Sequence, residues 1–200
     1  MPETAPEATP EAEVTPEAEA AAFARSIRPI RLEERAELDR LSTRSWGSPY
    51  VASRGSLHRV SELPCLLAVD GDRWLGVAVY RLAAGACELV LLEAFERGHG
   101  TGTALLNAVV ELARNAGARR LWLVTTNDNV DALRFYQRRG LRLVRLWPDA
   151  VTQSRKLLKP EIPLVGDDGI AIRDEIELDL LLTGSNPAAG SPPAGSDATS

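Results

Sequence analysis

Short apolar runs separated by turn residues dominate the first half of the chain after residue 26, and this pattern is typical of β-strands. Residues 65–69 and 73–82 are two such runs, and the Asp-Gly-Asp turn between them indicates a hairpin. A third run, residues 86–95, follows after a short Ala-Ala-Gly turn. The pattern therefore predicts an antiparallel meander.

Two further elements are predicted before the meander. Residues 26–31 are expected to form a short strand and residues 32–46 a helix, because acidic side chains fill its first turn, where the helix dipole favours them. Residues 51–63 are ambiguous, and a second short helix that ends at Pro64 is one interpretation.

The second half of the chain changes to the apolar spacing of amphipathic helices. Residues 103–116 and 130–139 are predicted to be helices, each followed by a glycine, and residues 121–125 and 141–147 to be strands. Residues 174–182 are expected to add a final edge strand. Strand, helix, strand, helix, strand is typical of parallel crossover units. We expect an α/β (α+β) fold with a mixed central sheet, an antiparallel meander followed by β-α-β-α-β, flanked by helices.

The two ends of the chain differ in composition from the region between them. Residues 1–25 are rich in Pro, Glu, Thr and Ala, and residues 183–200 in Gly, Ser, Pro and Ala, so neither has enough large apolar side chains for a core. We expect both to be disordered tails around one folded domain, residues 26–182. The formal net charge of -5 resides in the tails, because the first 25 residues carry six Glu and one Arg.

The distribution of charge and the two cysteines limit which ligands, sites and partners are expected. Residues 97–159 carry twelve basic against four acidic side chains, which favours an anionic ligand, although solvated arginine-rich helix faces explain the excess equally well. No RNA-binding aromatic signature or helix-turn-helix pattern accompanies the charge, so nucleic acid is not an expected partner. Cys65 and Cys87 form no metal or redox motif, and no apolar run is long enough for a membrane span. We expect a cytoplasmic protein with reduced thiols, no metal and no membrane partner.

A glycine-rich segment joins the third strand of the meander to the next helix, and it reads Arg97-Gly98-His99-Gly100-Thr101-Gly102-Thr103. Glycines let a phosphate approach the backbone, and the N–H groups and dipole of the helix start attract its charge. A P-loop needs Gly-Lys-Ser/Thr at its end, and the dinucleotide fingerprint needs a glycine where Thr103 stands, so both are excluded. A pyrophosphate site and a tight turn without a ligand are the two interpretations left.

Two motifs together give a more specific indication. The loop residues Arg97-x-x-Gly100-x-Gly102 resemble the Gln/Arg-x-x-Gly-x-Gly/Ala motif of the GNAT family of N-acetyltransferases. The second signature of that family is similar to the segment Asn129-x-x-Ala132-x-x-Phe135-Tyr136-x-x-x-Gly140-Leu141. One helix and one strand separate the two motifs, as in the family. The resemblance is strong over residues 89–144.

The resemblance implies an N-acetyltransferase that moves an acetyl group from acetyl-coenzyme A to a small-molecule or peptide amine by direct attack. The glycine loop would bind the pyrophosphate, and backbone groups at Leu92 and Ala94 would hold the pantetheine arm. Asn129 would hydrogen-bond that arm, and Tyr136 would protonate the departing thiolate. Two simpler roles stay open, Asn129 as the N-cap of its helix and Tyr136 as a core aromatic.

The general base and the acceptor site are less sharply defined. Glu88 and Glu93 lie on the strand that supplies a carboxylate in relatives, and Glu93 is the candidate base. Their odd separation predicts opposite faces of the sheet, so at most one can point into the cleft. Residues 45–63 lie where relatives place a substrate-lining helix pair, and residues 148–173 are expected to form an acidic loop near the acceptor mouth. The alternative function is a non-catalytic acyl-coenzyme A sensor, and either a monomer or a homodimer is compatible with the sequence.

Overall fold

Apolar runs bounded by turn residues form the strands, and segments with helical apolar spacing form the helices. The computed structural model describes residues 27–96, 98–166 and 168–182. In chain order, the strands are β1 (Ile27–Pro29), β2 (Tyr50–Ser53), β3 (Ser56–Arg59), β4 (Cys65–Asp70), β5 (Arg73–Ala83), β6 (Ala86–Ala94), β7 (Arg120–Thr126), β8 (Arg142–Trp147) and β9 (Glu175–Leu181). The α-helices of these residues are α1 (Arg35–Trp46), α2 (Thr101–Asn115), α3 (Val130–Gln137) and α4 (Ala150–Leu157). None of these helices is long and apolar enough to cross a membrane.

Seven strands form one sheet in the order β1-β4-β5-β6-β7-β9-β8. Neighbouring strands from β1 to β6 pair antiparallel, which confirms the predicted meander. β6 and β7 pair in parallel, joined by the crossover helix α2. β9 pairs antiparallel with both β7 and β8, so these two strands run parallel to each other with β9 between them. The predicted mixed sheet with flanking helices is confirmed.

The two faces of the sheet bury separate cores. The apolar stripe of α2 places Leu105 and Val109 against one face, where α3 also packs, and we term this the α2 face. The opposite face, termed the α1 face, buries Leu38 of α1 against Val77 of β5 and Leu91 of β6. Full burial of such a side chain contributes about 1.5–3 kcal/mol relative to exposure, so both faces stabilise the sheet.

The interpretation of residues 51–63 as a helix is wrong. β2 and β3 pair as a separate two-stranded hairpin, and a short 3₁₀ turn follows at Val60–Glu62. The turn residues Arg54 and Gly55 have φ of 47° and 74°, as a two-residue hairpin turn of this kind requires. Two-residue turns of this kind usually have the sequence Asn-Gly, and here the sequence is Arg-Gly. Only the glycine therefore indicates a hairpin turn in the sequence.

The edge position predicted for the last strand is also wrong, because β9 lies inside the sheet. Its apolar residues, such as Leu178, face the core on the α2 face, while acidic residues alternate with them. A half-polar strand is typical of an edge, but here Arg120 of the neighbouring β7 pairs with Glu177 and Asp179. The charges of adjacent strands therefore compensate each other inside the sheet.

The segment of residues 148–173 begins with a helix, α4, and is not only the acidic loop that was expected. Lys159, just after this helix, is buried and its ammonium donates to the carbonyl oxygen of Tyr50 at 2.8 Å. Tyr50 is the first residue of the β2–β3 hairpin. This contact ties the segment to the hairpin, so the two border the same part of the sheet.

Ser53 attaches the hairpin to the sheet. Its buried hydroxyl donates to Glu88 Oε1 at 2.6 Å, and Glu88 also accepts from Arg81 at 2.9 Å. A hydrogen bond to a buried charged group is among the stronger ones, because without it the charge is left poorly solvated.

Ser53→Ala is therefore expected to lower the free energy of unfolding by about 1.5–3 kcal/mol. Its exposed cross-strand partner Ser56 offers a matched control, and Ser56→Ala is expected to change that free energy by less than about 0.5 kcal/mol. Urea unfolding of the wild type and both variants measures the difference. Equal stabilities of the two variants would contradict the role of this hydrogen bond.

Candidate active site

β6 and β7 pair only at one end. Their parallel register runs from Ala86 opposite Arg120 to Glu88 opposite Trp122, although both strands continue for several residues more. Beyond Glu88, no strand of the described residues pairs with the side of β6 that faces β7. Backbone N–H and C=O groups there can bind another molecule. The two strands thus border a gap that begins at Glu88.

An extra residue in β6 changes which side chains share a face. Val79 of β5 lies opposite Leu91, but the next residue, Tyr80, lies opposite Leu89. Val90 between them is therefore a β-bulge without a partner. Because side chains alternate along a strand, one extra residue reverses the alternation beyond it.

The bulge brings Glu88 and Glu93 to the same face, and the prediction that they face opposite sides is wrong. Glu88 accepts from Ser53 of the hairpin, and Glu93 accepts from Ser45 and Trp46 at the end of α1. Both donors belong to elements on the α1 face. The glycine loop begins α2 on the other side of the sheet.

The glycine loop leaves open space at the start of α2. Gly98 and Gly100 have φ of 86° and 74°, which glycine adopts readily, and a Cβ added to either would meet nothing within 4 Å. Gly100 is the N-cap, so the first N–H groups of the helix, from Thr101 onward, have no acceptor within the helix. Gly102 differs, because a Cβ there would lie 3.3 Å from the Phe135 ring, so this glycine allows α2 and α3 to pack closely.

A cleft of about 850 Å³ opens beside the loop. Residues from the end of β6, the loop, the start of α2 and the α3 region line it. The structure brings together along this cleft the predicted site residues Leu92, Ala94, Gly98, Gly100, Thr101, Gly102, Thr103 and Tyr136.

Arg97 and His99 are the other predicted loop residues. Arg97 lies outside the described residues. His99 is exposed and, among the described residues of the loop, is the one that does not line the cleft.

The cleft also has a basic wall that the sequence motifs do not assign. Arg134, Arg138 and Arg139 line it, and the sequence shows them only as part of a local basic excess. Arg139 Nε donates to Thr103 Oγ1 at 2.9 Å, and its guanidinium lies 3.6 Å from the Phe135 ring centroid. Burial, together with the charge of Arg138, lowers the pKa of Arg139. Arg139 thus connects the end of α3 to the start of α2.

Tyr136 and Asn129 have different environments at α3. Tyr136 is 9% exposed, packs edge-on against Phe135 with ring centroids 5.1 Å apart, and lines the cleft. Burial raises the pKa of Tyr136, so its hydroxyl keeps its proton at neutral pH. Asn129 Oδ1 accepts the N–H of Ala132 at 3.0 Å, which confirms the N-cap interpretation. A contact of Asn129 with pantetheine stays a prediction.

Residues 24–141 match the family model described as the acetyltransferase (GNAT) family, which is more than half of the chain. The chain belongs to the GNAT acetyltransferase family. The uncharacterized protein YdhI of Bacillus subtilis (strain 168) is 42% identical over 132 residues, which are 66% of this chain and 82% of that protein. The resemblance carried by the two sequence motifs is thereby confirmed.

Solved structures share the GNAT fold of this chain. An IAA acetyltransferase from Bacillus cereus ATCC 14579 has a TM-score of 0.59 and 24% identity, covering 78% of this chain and 98% of that one. At this identity the likeness shows the fold alone. A Bacillus subtilis acetyltransferase, solved in complex with CoA, has a TM-score of 0.52 and 27% identity, covering 60% of this chain and 78% of that one.

On the α1 face of this GNAT domain, the two candidate bases have unlike surroundings. Glu88 is 3% exposed and forms an ion pair with Arg81 at 2.9 Å. Glu93 is partly exposed and accepts from neutral donors, Ser45 Oγ at 3.0 Å and Trp46 Nε1 at 3.1 Å. The charge of Glu93 is thus stabilised by dipoles and that of Glu88 by a cation.

Gly100→Val is expected to weaken the binding of acetyl-coenzyme A to this GNAT domain by about 10-fold or more, because the added side chain enters the open cleft. Gly117, beyond the other end of α2, has the same φ of 74° and equally open surroundings. Gly117→Val therefore imposes the same backbone strain away from the loop and serves as the matched control. Titration calorimetry measures the affinity and thermal melting the stability. Equal affinity in two folded variants would contradict a phosphate-binding role of the loop.

Proposed function

We propose that this chain is an N-acetyltransferase that transfers an acetyl group from acetyl-coenzyme A to an amine by direct attack, without a covalent enzyme intermediate. The observation that carries the proposal is the gap between β6 and β7, which opens beside the glycine loop. Membership of the GNAT family supports the proposal, as does the CoA bound to the Bacillus subtilis acetyltransferase.

The residues of the cleft fit the chemical groups of coenzyme A. A pyrophosphate needs open space, N–H donors and positive charge. Gly98 and Gly100 leave the space, and the first turn of α2 offers the N–H groups. Positive charge comes from Arg138 and from Arg134, although Asp131 of the same cleft pairs with Arg134 at 3.6 Å. The amides of the pantetheine arm need backbone partners, which residues 92–94 of β6 offer on the side without a strand partner.

The chain supplies the groups that direct attack requires. Acetyl-coenzyme A, when bound, brings an activated thioester carbonyl. A backbone N–H on the unpaired side of β6 would stabilise the negative charge that develops on the carbonyl oxygen. As the new C–N bond forms and the C–S bond breaks, Tyr136 would donate its proton to the sulfur. The Tyr136 hydroxyl carries a proton at neutral pH, as the role of acid requires, although burial raises its pKa and makes it a weaker acid than an exposed tyrosine.

Glu93 is the better placed of the two carboxylates to accept the proton of the amine. It lies between Leu92 and Ala94, which line the cleft, and its own side chain is on the α1 face. Accepting a proton would break no ion pair of Glu93 among the described residues. In Glu88 the same step would disrupt a buried pair with Arg81, which is costly.

Tyr136→Phe tests the acid. Removal of the hydroxyl is expected to lower turnover by about 100-fold, the low end of general acid catalysis, because water partly replaces the lost donor. The affinity for acetyl-coenzyme A is expected to stay the same, since the hydroxyl acts as the C–S bond breaks. Tyr80 is a buried tyrosine in the same core, so Tyr80→Phe is the matched control and is expected to keep its turnover.

Turnover, acetyl-coenzyme A affinity and melting temperature are measured on the same preparation of each variant. Wild-type turnover in Tyr136→Phe would remove this residue from the mechanism. A lower melting temperature with normal turnover of the folded fraction would show that the hydroxyl is structural.

The proposed activity itself is tested by release of coenzyme A thiol over a panel of amines. We expect release that depends on both acetyl-coenzyme A and an amine, with the acetylated amine found by mass spectrometry. Tight binding of acetyl-coenzyme A without release for any amine would contradict catalysis and favour a sensor.

A further inference from the structure

The α1 face beside the hairpin carries a group of buried carboxylates, Glu88, Glu175, Glu177 and Asp179. Such groups are stable only when cations or hydrogen-bond donors compensate the lost hydration. Arg81 pairs with Glu88 at 2.9 Å, and Arg120 pairs with both Glu177 and Asp179. Three of these four carboxylates therefore have a guanidinium partner.

Glu175 is the exception within the part of the chain that the structure describes. It is 3% exposed and forms no ion pair there. Its Oε2 accepts the backbone N–H of Arg54 at 3.1 Å, and no described donor reaches Oε1. Burial raises the pKa of Glu175, despite the N–H and the charge of Arg54, which lower it. The nearby charges of Glu88 and Glu177 add to the increase. The carboxylate is thus largely buried and has a single hydrogen-bond donor among the described residues.

The guanidinium of Arg54 is held by other groups. It lies 5.1 Å from the ring centroid of Trp122 and 4.8 Å from that of Trp147, and its Nε is 3.9 Å from Glu177 Oε2. Cation–π contacts and this weak ion pair stabilise the guanidinium between the two rings. Glu175 is left with the backbone N–H of Arg54 as its hydrogen-bond donor.

Glu175 lines a cavity of about 340 Å³ between the hairpin turn and α4. Trp147 forms one wall, Leu157 and Leu158 at the end of α4 form another, and Arg54 lies at the hairpin side. The cavity thus combines apolar surface with a buried carboxylate that forms no ion pair among the described residues, although the charge of Arg54 is nearby. This combination fits a ligand with a positive group on an apolar chain.

Of the residues that line this cavity, Glu175 lies nearest to the β6–β7 gap. Glu175 pairs with Thr126 at the end of β7, on the stretch of β7 that no longer pairs with β6. Since neighbouring strands are about 4.8 Å apart, the middle of the gap is roughly 7 Å or more from β9. An amine must be uncharged to attack a carbonyl. The cation that fits Glu175 is therefore a second group of the acceptor and not the reacting one.

We propose that the acceptor is a diamine whose second ammonium group binds Glu175 while the first amino group reaches the gap between β6 and β7. This inference rests on the proposed function and names its substrate class. Since the middle of the gap is roughly 7 Å or more from β9, a chain of about five methylene groups is the shortest that spans this separation.

Acetyl transfer to α,ω-diaminoalkanes of increasing length tests the inference. We expect kcat/KM to be highest near 1,5-diaminopentane and to exceed that of pentylamine, which lacks the second cation, by roughly 10- to 100-fold. 5-Aminopentanoate, with a negative second group, is expected to be the poorest acceptor of this length.

Variants of Glu175 test whether this carboxylate causes the preference for the diamine. Glu175→Gln is expected to abolish the preference for 1,5-diaminopentane over pentylamine without changing the affinity for acetyl-coenzyme A, and Glu175→Asp to retain part of it. Glu111→Gln removes an exposed carboxylate from α2 and is the matched control, which is expected to keep the preference. Melting temperatures establish that each variant is folded.

Calorimetric binding of 1,5-diaminopentane in the presence of coenzyme A separates this inference from the proposed function. Binding that depends on Glu175 without acetyl transfer would support the site and contradict the function. Acetyl transfer with equal preference in the wild type and Glu175→Gln would overturn the inference and leave the function standing. Failure of the diamine to bind or to react would also overturn it.

Discussion

The geometry of the candidate site depends on one irregularity in β6, the unpaired residue Val90. Beyond it, Leu92 faces the cleft and Glu93 faces the α1 side, where Glu88 already lies. The same strand parts from β7 just after Glu88. A bulge bends and twists its strand, and this one lies two residues beyond the last pair of β6 with β7. It provides free backbone groups beside a carboxylate, at the place where an amine is proposed to meet the thioester.

On the α1 face, where a helix covers only part of the sheet, arginines and hydrogen-bond donors compensate a group of buried carboxylates. Arg81 and Arg120 compensate the buried carboxylates of Glu88, Glu177 and Asp179. Ser53 and the backbone N–H of Arg54 attach the hairpin to the sheet by hydrogen bonds to Glu88 and Glu175. Buried pairs of this kind add little net stability compared with apolar packing. Their contribution here is a fixed arrangement of the hairpin over the sheet. The same arrangement leaves the carboxylate of Glu175 without an ion pair among the described residues.

Regular spacing made much of the fold predictable from the sequence. The strands from β4 to β6 and the helix α2 begin and end within two residues of their predicted bounds, because turns and apolar periods are local signals. The bulge leaves no such signal, since Val90 is as apolar as its neighbours and its irregularity exists only relative to β5. Two residues that the sequence analysis did not assign, Arg139 of the cleft and Glu175 of the smaller cavity, are likewise defined by partners that are distant along the chain.

The central claim is that acetyl-coenzyme A binds in the gap between β6 and β7 with its pyrophosphate at the start of α2. A crystal structure of the chain with bound coenzyme A tests this most directly. We predict pyrophosphate oxygens within hydrogen-bond distance of the N–H groups of residues 101–103 and a pantetheine arm that pairs with the backbone of residues 92–94. Coenzyme A bound away from the glycine loop, or a pantetheine arm that leaves the gap empty, would contradict the claim.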